Sequence, residues 1–569
     1  MARKRITLMA DFETTVDPED CRVWAGCAVD IDSLEVAYLG TELDGFMEYL
    51  QDKNTVCYFH NLKFDGEFIL YWLFTHGFRY SDSRKDKTFT TLITDDGLFY
   101  SIEVVFHRGK SRRYDKVVFY DSLKKLPFKV ATIARAFELP MAKGSIDYKA
   151  HRPKGYQLTE EEKEYIITDC KIVAEALKIQ MEQGLKRMTN ASDALNGYKG
   201  IVGKSWFERY FPVLPVELDK DIRRAYKGGF THLMERFRGA RGLQGKQFDV
   251  NSLYPWVMYT KLLPYGYPKY FEGFPEPDEK YPLYIIHLKC TFELKPDHIP
   301  TIQLKNNRRF RETEYLTTSR VKMGKHWDDE PVEMWLTNVD YELMMDHYEV
   351  EFFPFDDGHY YDGYRFKGMV GLFKEYIDYW MHIKETTTGA LRQLAKLMLN
   401  SLYGKFATNP RAVKKIPYLD PDSGTVHYKC DDPEEREPVY TAMGCFITAY
   451  AREKTIRSAQ ANYDRFIYAD TDSLKLTGYE DAVGLEVHDT HLGAWKDEGN
   501  FTDSKWIRAK TYMVTVDGQT KVTCAGMPDN VKEQVTYDNF KSGSTFSGKL
   551  VPRRYPGGII LEDSTFTIL

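Results

Sequence analysis

The first third of the chain alternates short apolar runs with polar motifs rich in acids and amides. Residues 6–10, 55–59 and 117–120 read as strands, the last following a basic turn at 108–113. The first strand runs into Asp11-Phe12-Glu13-Thr14-Thr15, the second into His60-Asn61-Leu62-Lys63-Phe64-Asp65. A helical pattern over 160–183 is opened by Thr159 as its cap, with Glu161 and Glu162 in the first turn. Residues 189–193 are polar and turn-like, so this α/β unit is expected to end near Met188.

A second unit begins around Ile222. Residues 246–250 form a short strand entering Asn251-Ser252-Leu253-Tyr254-Pro255, and a helix over 255–259 follows with proline in its first turn. Residues 262–371, rich in proline, tyrosine and charge, read as an inserted α+β module with strands such as 284–292. Helices over 372–384 and 389–405 flank a polar turn at 385–388, and 409–438 reads as a protruding hairpin. A helix over 445–462 leads into strands 465–469 and 474–477, and the remainder from Cys524 is small and mixed.

Composition adds limits. The 569 residues exceed one core and imply about three to five domains. Lys+Arg 78 against Asp+Glu 84 gives a net charge of -6, which argues against a simple nucleic-acid coat protein unless the acids sit in metal sites while lysines line a channel. Aromatic residues make up 15%, which core packing explains as readily as base stacking. The eight cysteines are dispersed without a CxxC pair, so reduced thiols are expected rather than zinc or disulfides. No run of about 18 apolar residues occurs and the basic start leads directly into a polar motif, so a cytosolic protein without membrane span or secretory signal is expected.

Two acid groups carry candidate chemistry. Asp11 and Glu13 are spaced to point the same way from a strand, Asp65 ends a strand–loop run, and Asp169 shares a helix face with Tyr165. Converging carboxylates repel unless cations join them, and two divalent ions about 3.5–4 Å apart would remove the penalty and support phosphodiester hydrolysis, with Tyr165 orienting water. Taken singly, each reads better as a solvated surface acid, and it is the set, in this order along the chain, that points to the chemistry.

The second group is Asp249, at a strand end, with Asp470 and Asp472 across a hairpin turn. If Asp249 meets Asp472 they could hold two Mg²⁺ for nucleotidyl transfer; the bland alternative is an ordinary Asp-Thr-Asp-Ser turn. On the 389–405 helix, Arg392, Lys396, Asn400 and Tyr403 form a polar stripe opposite Leu391, Leu394, Met398 and Leu402. Lys384, Arg392 and Lys396 are candidate triphosphate contacts.

Together with Tyr226-Lys227-Gly228-Gly229, residues 249–255, 394–406 and 468–473, and Lys510-Thr511-Tyr512, these motifs span the chain in one order. The sequence resembles the family B DNA polymerases, specifically the protein-primed polymerases of small tailed phages of Bacillus. The resemblance implies a multidomain α/β and α+β fold. A ribonuclease H-like 3'–5' exonuclease domain (1–189) would precede a right-hand polymerase: palm (190–261 and 441–523), fingers (372–407) and thumb (524–569), with terminal-protein-region insertions at 262–371 and 408–440. It also implies two Mg²⁺ per active site, with Mn²⁺ as a possible substitute, template and primer DNA and dNTPs as ligands, and a terminal protein as primer. A monomer or a heterodimer with that protein, in the cytoplasm of an infected bacterial cell, would follow.

By resemblance, Asp11, Glu13, Asp65 and Asp169 are the exonuclease acids, Tyr165 the water-orienting residue and Lys143 an auxiliary lysine. His60, Asn61, Phe64, Ser122, Leu123, Phe128 and Tyr148 match residues binding a frayed 3' end or terminal protein. Asp249 and Asp472 match the polymerase metal ligands, with Asp470 their neighbour and Val250 a backbone contributor. Tyr254 would exclude a 2' hydroxyl and Tyr403 shape the nascent pair, with Asn400 joining them in nucleotide binding, while Ser252 would bind DNA or the terminal protein. Tyr226, Gly228 and Gly229 would couple the two activities, and Lys510 and Tyr512 contact the primer strand. Lys227 departs from the usual arginine, and the stretch from Tyr512 to Cys524 is short. A metal-dependent exonuclease with a DNA-binding extension and a non-enzymatic nucleic-acid scaffold are the competing readings.

Overall fold

The structure, a computed structural model, describes residues 5–108, 114–305, 307–323 and 326–569. The basic turn expected at 108–113 falls, from 109 onward, outside the described residues.

Strand Ile6–Thr14 continues beyond the expected 6–10, because Asp11, Phe12 and Glu13 pair with Cys27, Gly26 and Ala25 of Val23–Asp30. Asp11 and Glu13 thus lie inside a strand rather than after it. The pleat sends Leu8, Ala10 and Phe12 into one apolar core and Met9 into another, leaving both acids on the face of Met9. Ile6–Thr14 runs parallel to Thr55–Phe59, itself parallel to Tyr114–Asp121, and these three are central in an eight-stranded sheet. Helix Glu160–Glu182 packs on the Met9 face, started by a reciprocal capping box between Thr159 and Glu162. The turn expected at 189–193 is instead a helix start: Thr189 caps Asn190–Val202 by accepting from the Ser192 N–H. Small polar residues serve caps and turns alike, so local pattern does not separate the two.

A seven-stranded sheet places Gly245–Val250 between Trp495–Arg508 and Ser473–Thr477, antiparallel to both. Phe466–Asp470 and Ser473–Thr477 form a hairpin with Thr471 at φ +58° in its turn. Within 262–371 lies a five-stranded antiparallel sheet centred on Leu283–Leu294, with helix Asn338–His347 packed against it.

Helices Lys374–Thr386 and Gly389–Phe406 form an antiparallel pair. Leu391 is only partly buried, so the latter's core face is Leu394, Ala395, Met398, Leu399, Leu402 and Phe406. Helix Thr441–Ala461 starts earlier than expected because Thr441, Ala442, Met443 and Gly444 are all buried, and tertiary packing extends it. After paired strands Lys415–Leu419 and Val426–Cys430, the notable late element is a long hairpin, Thr545–Tyr555 with Gly558–Thr567. Its tip returns to the first unit, where Arg554 reaches Glu67 at 3.4 Å. Among the described residues no helix is long and apolar enough to cross a membrane.

Candidate active sites

Three elements assemble the first acid centre. Asp11 and Glu13 come from Ile6–Thr14, Asp65 from the first turn of Leu62–Thr75, and Asp169 from Glu160–Glu182 one turn after Tyr165. Glu13, Asp65, Asp169 and Tyr165 are buried. Burial and then Asp169 push the Asp11 carboxyl up; burial and then Asp11 do the same to Glu13 and Asp65. Lys143 pairs with Asp169, yet one oxygen each of Asp65 and Asp169 is buried without a hydrogen-bond partner. Among the described residues the acids do not close on one point as a complete ligand set. Crowded, desolvated carboxylates with orphaned oxygens nevertheless suit divalent cations, which neutralise the repulsion and take up the free lone pairs.

Around this centre Tyr148, half exposed, hydrogen-bonds the Tyr165 hydroxyl at 2.6 Å. His60 contacts the Phe128 carbonyl through Nε2 and Ser122 Oγ through Nδ1, both at 2.8 Å. A carbonyl only accepts, so Nε2 carries the proton and Ser122 donates to Nδ1. Burial lowers the His60 pKa, in keeping with that neutral ring. Asn61, exposed at φ +78°, precedes Leu62–Thr75, and Phe64 packs against Phe68. Sequence reasoning missed Asp121, whose Oδ1 accepts from the N–H groups of Asn61, Leu62 and Leu123 and so ties both segments together. Its signal was available: it is the first polar residue after the 117–120 run.

The second centre forms where Gly245–Val250 meets the hairpin. Asp249 lies opposite Ser473, and the Val250 N–H donates to the Asp472 carbonyl at 2.8 Å. Burial and then Asp472 push the Asp249 carboxyl up to about 7, and burial raises Asp472. Asp470 is held apart, accepting from Thr231 at 2.8 Å and Tyr468 at 3.2 Å, with the Lys510 ammonium at 3.5 Å.

Ser252, at φ +56°, accepts from the Lys384 ammonium at 2.9 Å. Burial, then Arg392 and Lys396, lower the Lys384 pKa, so three cations gather beside that turn. Tyr254 stacks on Tyr403 with centroids 4.0 Å apart, and Asn400 stays exposed on the same helix. Tyr512 stacks on Trp506 at 4.8 Å.

The Tyr226–Gly229 loop is pinned through its carbonyls. Lys305 donates to that of Tyr226 at 3.0 Å, and Arg452 to those of Lys227 and Gly228 at 2.9 and 2.8 Å. A Cβ on Gly229 would meet Thr471 Oγ1 at 2.5 Å, which explains the glycine. Lys227 is buried, and burial lowers its pKa to about 8. Arg452, buried and paired with Asp340 at 2.7 Å, escaped sequence reasoning although it is the one charged residue among Thr448, Ala449, Thr455 and Ile456, its uncharged neighbours at helical spacing.

Residues 47–154 and 149–490 match the family described as DNA polymerase type B, organellar and viral. The DNA polymerase of Bacillus phage Nf is 47% identical over 589 residues, covering 100% of both chains. That of Streptococcus phage Cp-1 is 35% identical over 587 residues, covering 98% of each. Phi29 DNA polymerase, solved with primer-template DNA and incoming nucleotide substrates, matches with a TM-score of 0.92 at 46% identity and 100% coverage of both chains. The fold is accordingly an exonuclease unit joined to palm, fingers and thumb. Family membership carries divalent-metal-dependent catalysis with it. The chain belongs to the organellar and viral type B DNA polymerases, in their phi29-like phage group, and is a DNA-directed DNA polymerase with exonuclease activity, synthesising on a template with strand displacement and proofreading.

Proposed function

We propose that the two acid centres divide the chemistry, each with two Mg²⁺, and that synthesis starts on the hydroxyl of a terminal protein. The observation that carries the division is two separate carboxylate groups: in the first, burial and neighbouring acids hold Asp11, Glu13 and Asp65 above the usual carboxylate range; in the second, burial does so for Asp249 and Asp472, with Asp472 adding to the rise of Asp249. Bound there, the cations would activate the attacking oxygen and stabilise the leaving one. Tyr165, steadied by Tyr148, orients water in hydrolysis, and Lys143 balances Asp169.

At the polymerase centre Val250 contributes its backbone, Lys384, Arg392 and Lys396 grip the triphosphate, and Tyr254 on Tyr403 borders the sugar. His60, Asn61, Phe64, Ser122, Leu123 and Phe128 hold a frayed 3' end or the terminal protein. Tyr226, Gly228 and Gly229 pass the strand between centres. The fold supports an exonuclease domain at 1–189, palm at 190–261 and 441–523, insertions at 262–371 and 408–440, fingers at 372–407 and thumb at 524–569. The phage relatives support action in the cytoplasm of an infected bacterial cell, as a monomer or a heterodimer with the terminal protein.

Incubating the enzyme with its candidate terminal protein, template, Mg²⁺ and one labelled nucleotide tests the priming step. Covalent labelling of that protein is expected, and lost with Asp472→Ala. Primer extension without any protein labelling would contradict it.

A further inference from the structure

Lys475 is a buried lysine that the assignments above leave unused. It is 7% exposed and lies opposite Gln247, as Ser473 lies opposite Asp249. Directly paired residues project to one face, so Lys475 shares the face of Asp249, while Leu474 and Leu476 enter the core. Among the described residues its ammonium makes one hydrogen bond, a long 3.4 Å contact to Gln247 Oε1, and no ion pair. The Tyr512 ring lies 5.6 Å away.

Asp249 and Asp470 draw its pKa upward, yet burial outweighs them and lowers it to about 8. A desolvated ammonium with one long bond is costly unless an anion completes its shell. The neighbouring carboxylates stand too far away to do so. Lys475 instead lies near the Tyr512 ring and opposite Tyr468, whose hydroxyl donates to Asp470, the partner of Lys510.

We propose that Lys475 is a primer-strand contact whose ammonium binds a non-bridging oxygen of the phosphodiester nearest the primer 3' end. This rests on the reading of Lys510 and Tyr512 as primer-strand residues and adds the missing charge beneath them. The Lys475–Gln247 pair sits two positions from Asp249, roughly 7 Å along the strand, a reach that suits the first linkage behind the reacting 3' hydroxyl. The ligand class is a phosphodiester monoanion, for which an ammonium acts as a point charge.

The test is a cycle between Lys475→Met and a primer whose 3'-terminal linkage is an uncharged methylphosphonate. On an ordinary primer the substitution should weaken primer–template binding and single-nucleotide extension about tenfold. The methylphosphonate should cost the parent enzyme a similar factor, and the substitution should add nothing on that primer. Lys475→Arg should keep most of the affinity, and a melting temperature no lower than the parent's shows that the Met variant is folded. Equal losses on both primers, or none on either, overturn the proposal. Lys510→Met run alongside separates the two readings. Coupling of Lys510 but not Lys475 to a linkage removes Lys475 alone, whereas coupling of neither removes the primer-strand reading of the whole face and the proposal with it.

Discussion

The main-chain N–H of Val250 donates to the carbonyl of Asp472 at 2.8 Å, stitching the strand of Asp249 to the turn of the Asp-Thr-Asp-Ser hairpin. The contact brings two carboxylates together and has a pH consequence. Asp249 keeps its proton to about 7, against 3.8 for a free aspartate. Between those values the folded protein binds more protons than the unfolded chain. This group's contribution to stability is therefore full below the unfolded value and is lost as pH rises through about 7.

Mg²⁺ must displace that proton, so it binds better at high pH. The rise in melting temperature on adding Mg²⁺ is expected to be larger at about pH 8 than at about pH 5.5, with the difference reduced in Asp249→Asn. A pH-independent rise would contradict the coupling. The Asp11 centre adds in the same direction, so the Asn variant isolates the polymerase part.

Tyr254 rests flat on Tyr403, centroids 4.0 Å apart and planes 20° apart, which fixes its ring as a wall. Tyr254→Val should open space beside the sugar and raise ribonucleotide incorporation relative to deoxyribonucleotide by about 10–100-fold. Competing the two substrates on one template measures the ratio; an unchanged ratio removes the steric role.

Much of this site was legible because its parts are local. Asp11 with Glu13, Tyr165 with Asp169, and Asp470 with Asp472 obey strand, helix and turn spacing, and helix Glu160–Glu182 follows from its cap and periodicity. What was not legible depends on distant pairing. The length of Ile6–Thr14 is set by Val23–Asp30, and the start of Thr441–Ala461 by burial of Thr441 to Gly444. Asp121, Arg452 and Lys475 read as ordinary polar residues because their partners, Asn61, Asp340 and Gln247, are supplied by other segments.

Arg452 bridges Asp340 of the inserted module to the carbonyls of Lys227 and Gly228. Arg452→Met strands a buried carboxylate and should destabilise the protein by about 3–5 kcal/mol, measured by denaturant unfolding. Adding Asp340→Asn should recover part of the loss. A change below about 1 kcal/mol would show that the pair does not hold the loop.

Gly557, at φ +110°, sits at the tip of the C-terminal hairpin, where a Cβ would lie 1.9 Å from the Cys21 carbonyl oxygen. Backbone cannot yield there, so Gly557→Ala should lift the tip from the exonuclease unit. Product length from one binding event, with trap DNA present, should shorten while single-nucleotide incorporation persists. Unaltered length would separate the contact from processivity.

The two-centre division is tested most directly by following one 5'-labelled primer on a template with Mg²⁺, with and without dNTPs. Asp11→Ala/Glu13→Ala should lose primer shortening by at least about 10²–10³-fold and keep extension, and Asp249→Ala should do the reverse. Loss of both activities in either variant, or continued extension by Asp249→Ala, would contradict the assignment of separate chemistries to the two acid centres.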